Sequence, residues 1–228
     1  MARRKPKQTS FKYRTWGGKR RRAGRKPKGE RAGVSHRTRP ALASRFPVHV
    51  TLRVVAELPT LRQQKARVAI ERAIRGGSDR FGFRVVHYSI LKDHVHLIVE
   101  AKDARALSRG MQGLCIRMAK ALNRAFERKG GVFADRYHAR VLRTPKEVRA
   151  ALAYVLNNLR RHGRARNHVY ARGFLDPFSS ARWFDGWRGV RVRPPPDGPV
   201  AEGRTWLLRK GWRRYGLLVV EEVPGGAG

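Results

Sequence analysis

Acidic residues are scarce in this chain. Asp and Glu number 16 against 53 Lys and Arg in 228 residues, which gives a formal net charge of +37 and an isoelectric point near 11.8. Self-repulsion of that size works against a compact state unless a polyanion neutralises it, and nucleic acid is the partner class that fits. Cysteine is almost absent: Cys115 stands alone, which excludes a disulfide framework and a cysteine-based zinc site. There is also no long apolar run and no apolar leader segment, so no membrane partner is expected and a place in the cytoplasm, near the nucleoid, is. A ribosomal or histone-like protein would share this charge balance. Charge names the partner and leaves the activity open.

What is present is unevenly distributed. Residues 1–45 hold 17 Lys or Arg against one acid, Glu30, and show no hydrophobic period, the pattern of a disordered basic arm that binds nucleic acid. From Phe46 the pattern becomes that of a folded domain. "FPVHVTLRVV" (46–55) and "FGFRVVHYSI" (81–90) are strands by their β-branched and aromatic content. Between them a helix is expected from a capping box on Thr60 and Gln63 to a stop at Gly76-Gly77. A second helix starts near Asp103, with Leu107, Met111, Leu114, Met118, Leu122 and Phe126 at three- and four-residue steps, and stops at Gly130-Gly131. "RYHARVLR" (136–143) is a further strand. Thr144, Pro145 and Glu147 then open a last helix, which runs to about His162.

With the strand at 94–100, this order predicts an α+β fold, a ferredoxin-like (RRM-like) βαββαβ sandwich over residues 46–162 with one added C-terminal helix. Residues 163–228 read as a basic, aromatic-containing extension, with a short amphipathic helix over 204–218.

"KDHVHLIVE" (92–100) is the segment that bears on chemistry. Alternation puts His94, His96, Ile98 and Glu100 on one strand face and Val95, Leu97 and Val99 on the other. The second face is core. Two imidazoles at i and i+2 can hold a divalent cation from two sides, although a bare His-x-His more often marks a half-exposed strand. A cation needs a third donor. On the last helix Val148, Ala151, Leu152, Val155 and Leu159 form the core stripe, and Tyr154 and Asn158 stand one turn apart on its flank, facing the sheet surface. Taken singly, Tyr154 is a helix-edge aromatic and Asn158 a helix-end amide. Together with the histidine pair they offer two nitrogens, one amide oxygen and one phenol. Glu100, on the same face, is placed to bind a water or the N–H of a ligand histidine.

"HVHLIVE" followed some sixty residues later by "AYVLNN" resembles the HUH single-tyrosine transposases. The Thr-Pro-x-Glu helix start and "DPFSSARW" (176–183) are most similar to the REP-associated tyrosine transposase group. The resemblance implies that His94, His96 and Asn158 hold Mg²⁺ or Mn²⁺ and that Tyr154 is the nucleophile. It further implies that single-stranded or hairpin DNA is nicked through a 5′-phosphotyrosine link with release of a 3′-OH. Members occur as dimers and as monomers, so both states remain open. Leu159 stands where the group often has proline, Asn158 where many relatives have glutamine, and the long basic arm is not part of the pattern.

Phe81, Phe83, Tyr88, Trp183 and Trp187 are candidate base-stacking residues, with core packing the competing role for the first two, and Arg160 and Arg161 are candidate phosphate contacts. Tyr137, which its strand points into the sheet and which lacks a donor one turn away, and Tyr88, on a strand with His87, are weaker nucleophile candidates. The alternative from another class is a non-catalytic nucleic-acid-binding module of RRM-like fold, or a relative that binds DNA without cleaving it. "RFGFRVVHY" echoes the aromatic RNP1 pattern but lacks its first glycine and falls on the second strand instead of the third.

Overall fold

The computed structural model describes residues 41–77, 79–164, 167–193 and 195–225. The basic arm expected over residues 1–45 lies outside the described residues except for its last five. Four strands, β1 (Val48–Arg53), β2 (Phe83–Ile90), β3 (His94–Ala101) and β4 (His138–Val141), form one sheet in the order β2-β3-β1-β4. All neighbours are antiparallel. Helices α1 (Gln64–Arg75) and α2 (Ala104–Ala125) are the two crossovers, so the ferredoxin-like βαββαβ order expected from the sequence is present.

The strands explain the two layers. Val48, Val50 and Leu52 of β1 and Val95, Leu97 and Val99 of β3 alternate onto one face, where they pack with Ile70 and Ile74 of α1 and with Met111, Leu114 and Met118 of α2. Each such side chain contributes about 1.5–3 kcal/mol when fully buried. On the opposite face, Val86 and Ile98 meet helix α3 (Pro145–Leu156) through Val148, Leu152 and Val155. A bulge between Val85 and His87 in β2 lets two consecutive residues, Val86 and His87, serve the same layer, with His87 against Phe184.

Helix boundaries follow local hydrogen bonding, with three differences from expectation. The Thr60–Gln63 capping box does not form: α1 starts at Gln64, and the preceding chain is tied to the sheet through Leu61 N–H donating to the Lys92 carbonyl at 2.9 Å. Helix α2 begins as expected, with Asp103 accepting from Ala106 N–H at 2.7 Å, but ends at Ala125, ahead of the glycine pair, where Glu127 takes a left-handed conformation (φ 51°). Helix α3 has the expected capping box, Thr144 and Glu147 each accepting from the other's backbone N–H at 3.2 and 3.0 Å. It stops at Leu156, however. The backbone departs from helix at Asn157 and resumes as α4 (Asn158–Arg164).

At that interruption the chain is tied to residues far along the sequence. Asn157 Nδ2 donates to the carbonyls of Val219 and Glu222 at 3.0 and 2.9 Å. Residues beyond α4 wrap over α3: a 3-10 turn (Ser180–Trp183), the single-turn α5 (Trp206–Arg209) and a second 3-10 turn (Gly211–Tyr215) bury Trp187, Leu207, Trp212 and Leu218 in the same core. The helix expected over 204–218 is thus split in two. Arg149 of α3 grips Glu222 through a bidentate pair at 2.8 and 2.9 Å.

Candidate active site

The face of the sheet beneath α3 carries a polar row among its apolar contacts. His96 sits in β3 directly opposite Thr51 of β1 and Ser89 of β2, so all three side chains share one face. His49, two residues before Thr51, joins the same face. Its Nε2 lies 3.2 Å from His96 Nδ1, and Thr51 Oγ1 lies 3.1 Å from that nitrogen. His94 packs edge-on against His96 with ring centroids 4.8 Å apart.

From above, α3 and α4 bring down two aromatic rings. Tyr154 is half-buried and lies T-shaped over His96 at 5.0 Å and over His49 at 5.6 Å. His162 of α4 lies 6.3 Å from His94. Asn158, one turn from each of these residues in the chain, is bracketed by two contacts to the histidine pair. His94, His96 and Tyr154 thus come together as expected. Asn158 differs from the flanking, half-exposed position predicted for it: it is fully buried.

The free atoms are the informative ones. His94 Nδ1 is 2.7 Å from Asp93 Oδ1. A carboxylate can only accept, so Nδ1 carries a proton, and in the neutral ring the lone pair lies on Nε2. His96 Nδ1 is occupied by Thr51 and His49, while its Nε2 is buried without a partner. Among the described residues neither Oδ1 nor Nδ2 of Asn158 has a partner, and the Ser89 hydroxyl is also unpartnered. A buried polar atom left unpaired costs about 1–3 kcal/mol, and two of these, on His96 and Ser89, belong to directly opposed residues of the sheet.

Burial, reinforced by His49 and His94 next to it, lowers the His96 pKa to about 2. Burial, with His138 and Arg140 adding to it, lowers that of His49 to about 4. Both rings are therefore neutral at physiological pH, the state in which an imidazole can donate a lone pair. Burial pushes the Asp93 carboxyl up, but its hydrogen bond to His94 and the nearby Arg53 outweigh that and hold it below the usual carboxylate range.

The donor set is compatible with a divalent cation: two imidazole Nε2 atoms held by partners on their Nδ1 sides and one unpartnered carboxamide. Among the described residues no group of three or more His, Cys, Asp or Glu is arranged to hold a metal ion. A third donor would have to be of another type, such as the amide of Asn158. Tyr154 opens to a cavity of about 350 Å³ lined also by His49, Arg140, Lys146, Arg149 and Glu222. Arg161 stacks its guanidinium 5.2 Å from the Tyr154 ring centroid. A phosphate approaching Tyr154 would meet cations on two sides.

Residues 43–158 match the family described as Transposase IS200 like. The chain belongs to that family. It is accordingly an enzyme of the transposase class, acting on DNA. Among solved structures it is similar to a REP-associated tyrosine transposase bound to a REP hairpin, at 16% identity over 72% of this chain and 97% of that one, with a TM-score of 0.46. It is also similar to a candidate transposase from Deinococcus radiodurans, at 14% identity over 61% of this chain and all of that one, with a TM-score of 0.38. No curated protein matches the chain. Among the described residues no helix is long and apolar enough to cross a membrane.

Several residues of this IS200-like transposase take other parts than the sequence suggested. Glu100 does not serve the histidines. It is buried 3% exposed, pairs with Arg84 at 2.9 Å and accepts from the backbone N–H groups of Arg204 and Thr205, anchoring the C-terminal segment. Phe83, Tyr88 and Trp187 are core and cannot stack on a base, while Trp183 is partly buried and Phe81 fully exposed. Tyr88 donates to Glu71 at 2.7 Å. Tyr137 packs at the edge of the α1/α2 core. Ser179 and Ser180 of "DPFSSARW" are structural: Ser179 caps the 3-10 turn and Ser180 Oγ accepts from Tyr88 N–H at 3.0 Å. Arg160 donates to the carbonyls of Ala171 and Phe174. Sequence reading missed His49, Thr51 and His162. Alternation in "VHVTLR" would have shown His49 and Thr51 opposite the core valines, on the face of His96.

Proposed function

We propose that this transposase nicks and rejoins single-stranded, hairpin-bearing DNA with Tyr154 as nucleophile and a divalent cation, Mg²⁺ or Mn²⁺, held by His94, His96 and Asn158. The observation that carries the reading is the set of unpartnered buried donors, His96 Nε2 and the Asn158 amide, bracketed by the contacts of Tyr154 and His162 with the histidine pair. A folded chain keeps such atoms unpaired where a ligand completes them.

A bound divalent cation would supply Lewis-acid polarisation of the scissile phosphate and fix its orientation. The chain's residues do the rest. Asp93 holds the His94 ring, and Thr51 with His49 holds that of His96, each with Nε2 toward the site. Arg161 and Lys146 attract the phosphate. The Tyr154 oxygen attacks phosphorus, the P–O3′ bond breaks, and the strand leaves as a 3′-OH after the oxygen takes up a proton. The 5′-phosphotyrosine bond conserves the phosphodiester energy, so a 3′-OH can reverse the attack and rejoin strands without a nucleotide cofactor.

The test is incubation of the full chain with pooled hairpin-bearing single-stranded oligonucleotides and Mn²⁺, followed by denaturing electrophoresis. A protein–DNA adduct resistant to SDS is expected, absent in Tyr154→Phe and in EDTA. DNA binding with no adduct would move the chain to a binding-only role. An adduct that persists in Tyr154→Phe would assign the chemistry to another residue.

A further inference from the structure

A cavity of about 590 Å³ is separate from the Tyr154 cavity and shares no lining residue with it. It lies where the start of β2 meets the first turns of α2, and is lined by Phe81 together with Arg80, Lys102, Arg105, Arg109 and Arg117. Among the described residues none of these five cations forms an ion pair with a carboxylate. The acid in the lining, Asp103, is engaged as the N-cap of α2. Burial and the neighbouring charge of Arg80 both lower the Arg117 pKa, a mark of cations gathered without compensation.

Phe81 breaks a local rule. Arg80 and Phe83 exchange both backbone hydrogen bonds, at 3.0 and 2.9 Å, around a two-residue turn in which Phe81 and Gly82 have φ of 53° and 74°. Such turns favour Asn, Asp or Gly at the first position. Phenylalanine there is in a conformation L residues seldom adopt, and it recovers nothing by packing, since it is 97% exposed. The turn is pinned by Lys102 N–H donating to the Gly82 carbonyl at 2.8 Å, which holds the ring beside the cationic cavity. A rigid, exposed aromatic ring next to several free guanidinium groups is the arrangement that takes an unpaired base on its face and phosphates at its side.

We propose that Phe81 and the arginines around it form a second binding site for single-stranded DNA, distinct from the cleavage site: one base stacks on Phe81, and Arg80, Arg105 and Arg109 take adjoining phosphates. The proposal rests on the reading of the chain as an enzyme acting on unpaired DNA and adds where a strand segment outside the scissile phosphate is held.

The test uses the full chain carrying Tyr154→Phe and an oligothymidylate with one 5-iodouracil, photocrosslinked and mapped by mass spectrometry. An adduct on Phe81 is expected. Phe81→Asn suits the turn better than phenylalanine, so its thermal midpoint should not fall, yet its affinity for the oligonucleotide should drop about five-fold or more. Arg105→Gln with Arg109→Gln should lower the slope of log affinity against log salt by about 1.4. Crosslinks elsewhere with none on Phe81, unchanged affinity in Phe81→Asn, or equal binding of duplex DNA would each overturn the site. A Phe81 crosslink without any Tyr154 adduct in the wild-type chain would refute nicking and leave this site standing; the reverse pair of results would overturn this site alone.

Discussion

The two faces of one sheet are built to different rules. Under α1 and α2, β1 and β3 present valine and leucine, and the layer is apolar. Under α3, the alternate residues of those strands present His49, Thr51 and His96, and the layer leaves donors unpaired. Unpaired polar atoms also occur in Arg67 and Asn123, outside this layer, but those side chains make another bond, to the Pro177 and Gly130 carbonyls; Asn158 makes none. Both faces carry an apolar core, but the second combines it with buried polar atoms left unpaired. The difference is written into consecutive residues: Leu97 belongs to one face and His96 to the other.

That contrast can be broken most directly by substituting neighbours. Leu97→Ala should destabilise the chain by about 2–5 kcal/mol, as a cavity in a close-packed layer does. Asn158→Leu removes unpaired polar atoms and should leave stability equal or raise it by about 1 kcal/mol while abolishing Mn²⁺-dependent adduct formation. Denaturant titrations of both variants, run beside the adduct gel, measure the two effects. A large stability loss in Asn158→Leu would show that the amide is structural.

Acid should attack the polar face first. Burial lowers the pKa of His49 and His87 from 6.5 to about 4 each, and that of His96 further. Each is depressed in the folded state, so the unfolded chain binds protons first as pH falls. Their contribution is intact above about pH 6.5; that of His49 and His87 is lost progressively between 6.5 and 4, and that of His96 continues to fall down to about 2. For His87 alone this amounts to ~3 kcal/mol. Chemical denaturation at pH 7.5, 6 and 5 should show falling midpoints, and a flat profile would contradict the burial of neutral imidazoles.

Smaller effects sharpen the comparison. Thr51→Val leaves the His96 ring but removes a partner of its Nδ1, and should weaken Mn²⁺ binding about 10- to 100-fold in calorimetry with little change in fold. Thr144→Ala removes the cap of α3 and should cost about 1 kcal/mol in thermal unfolding, with DNA adduct formation retained below the midpoint.

What the sequence disclosed divides along the same line. Strand alternation, the Asp103 cap and the Thr144–Glu147 box rest on neighbours within a few residues, and they specified the strands, the start of α2 and the start of α3. The histidine pair and Tyr154 were legible because a strand period and a helix period each place side chains on a defined face. What escaped depends on partners far along the chain. Asn157 leaves helical geometry while bonded to the Val219 and Glu222 carbonyls, and Glu100 is claimed by the Arg204 and Thr205 backbone. No local pattern announces either. The two adjacent asparagines illustrate the limit: Asn157 clasps the C-terminal segment while the Asn158 amide is buried with no hydrogen bond among the described residues, and only packing distinguishes them.

The central claim is that the unpaired layer exists to hold a divalent cation. The most direct measurement is Mn²⁺ binding by electron paramagnetic resonance on the full chain, its His96→Ala and Asn158→Ala variants, and Tyr154→Phe. One site is predicted in the wild type, retained in Tyr154→Phe and lost or weakened at least tenfold in the other two. Binding that is absent from the wild type, or unchanged in His96→Ala, would contradict it.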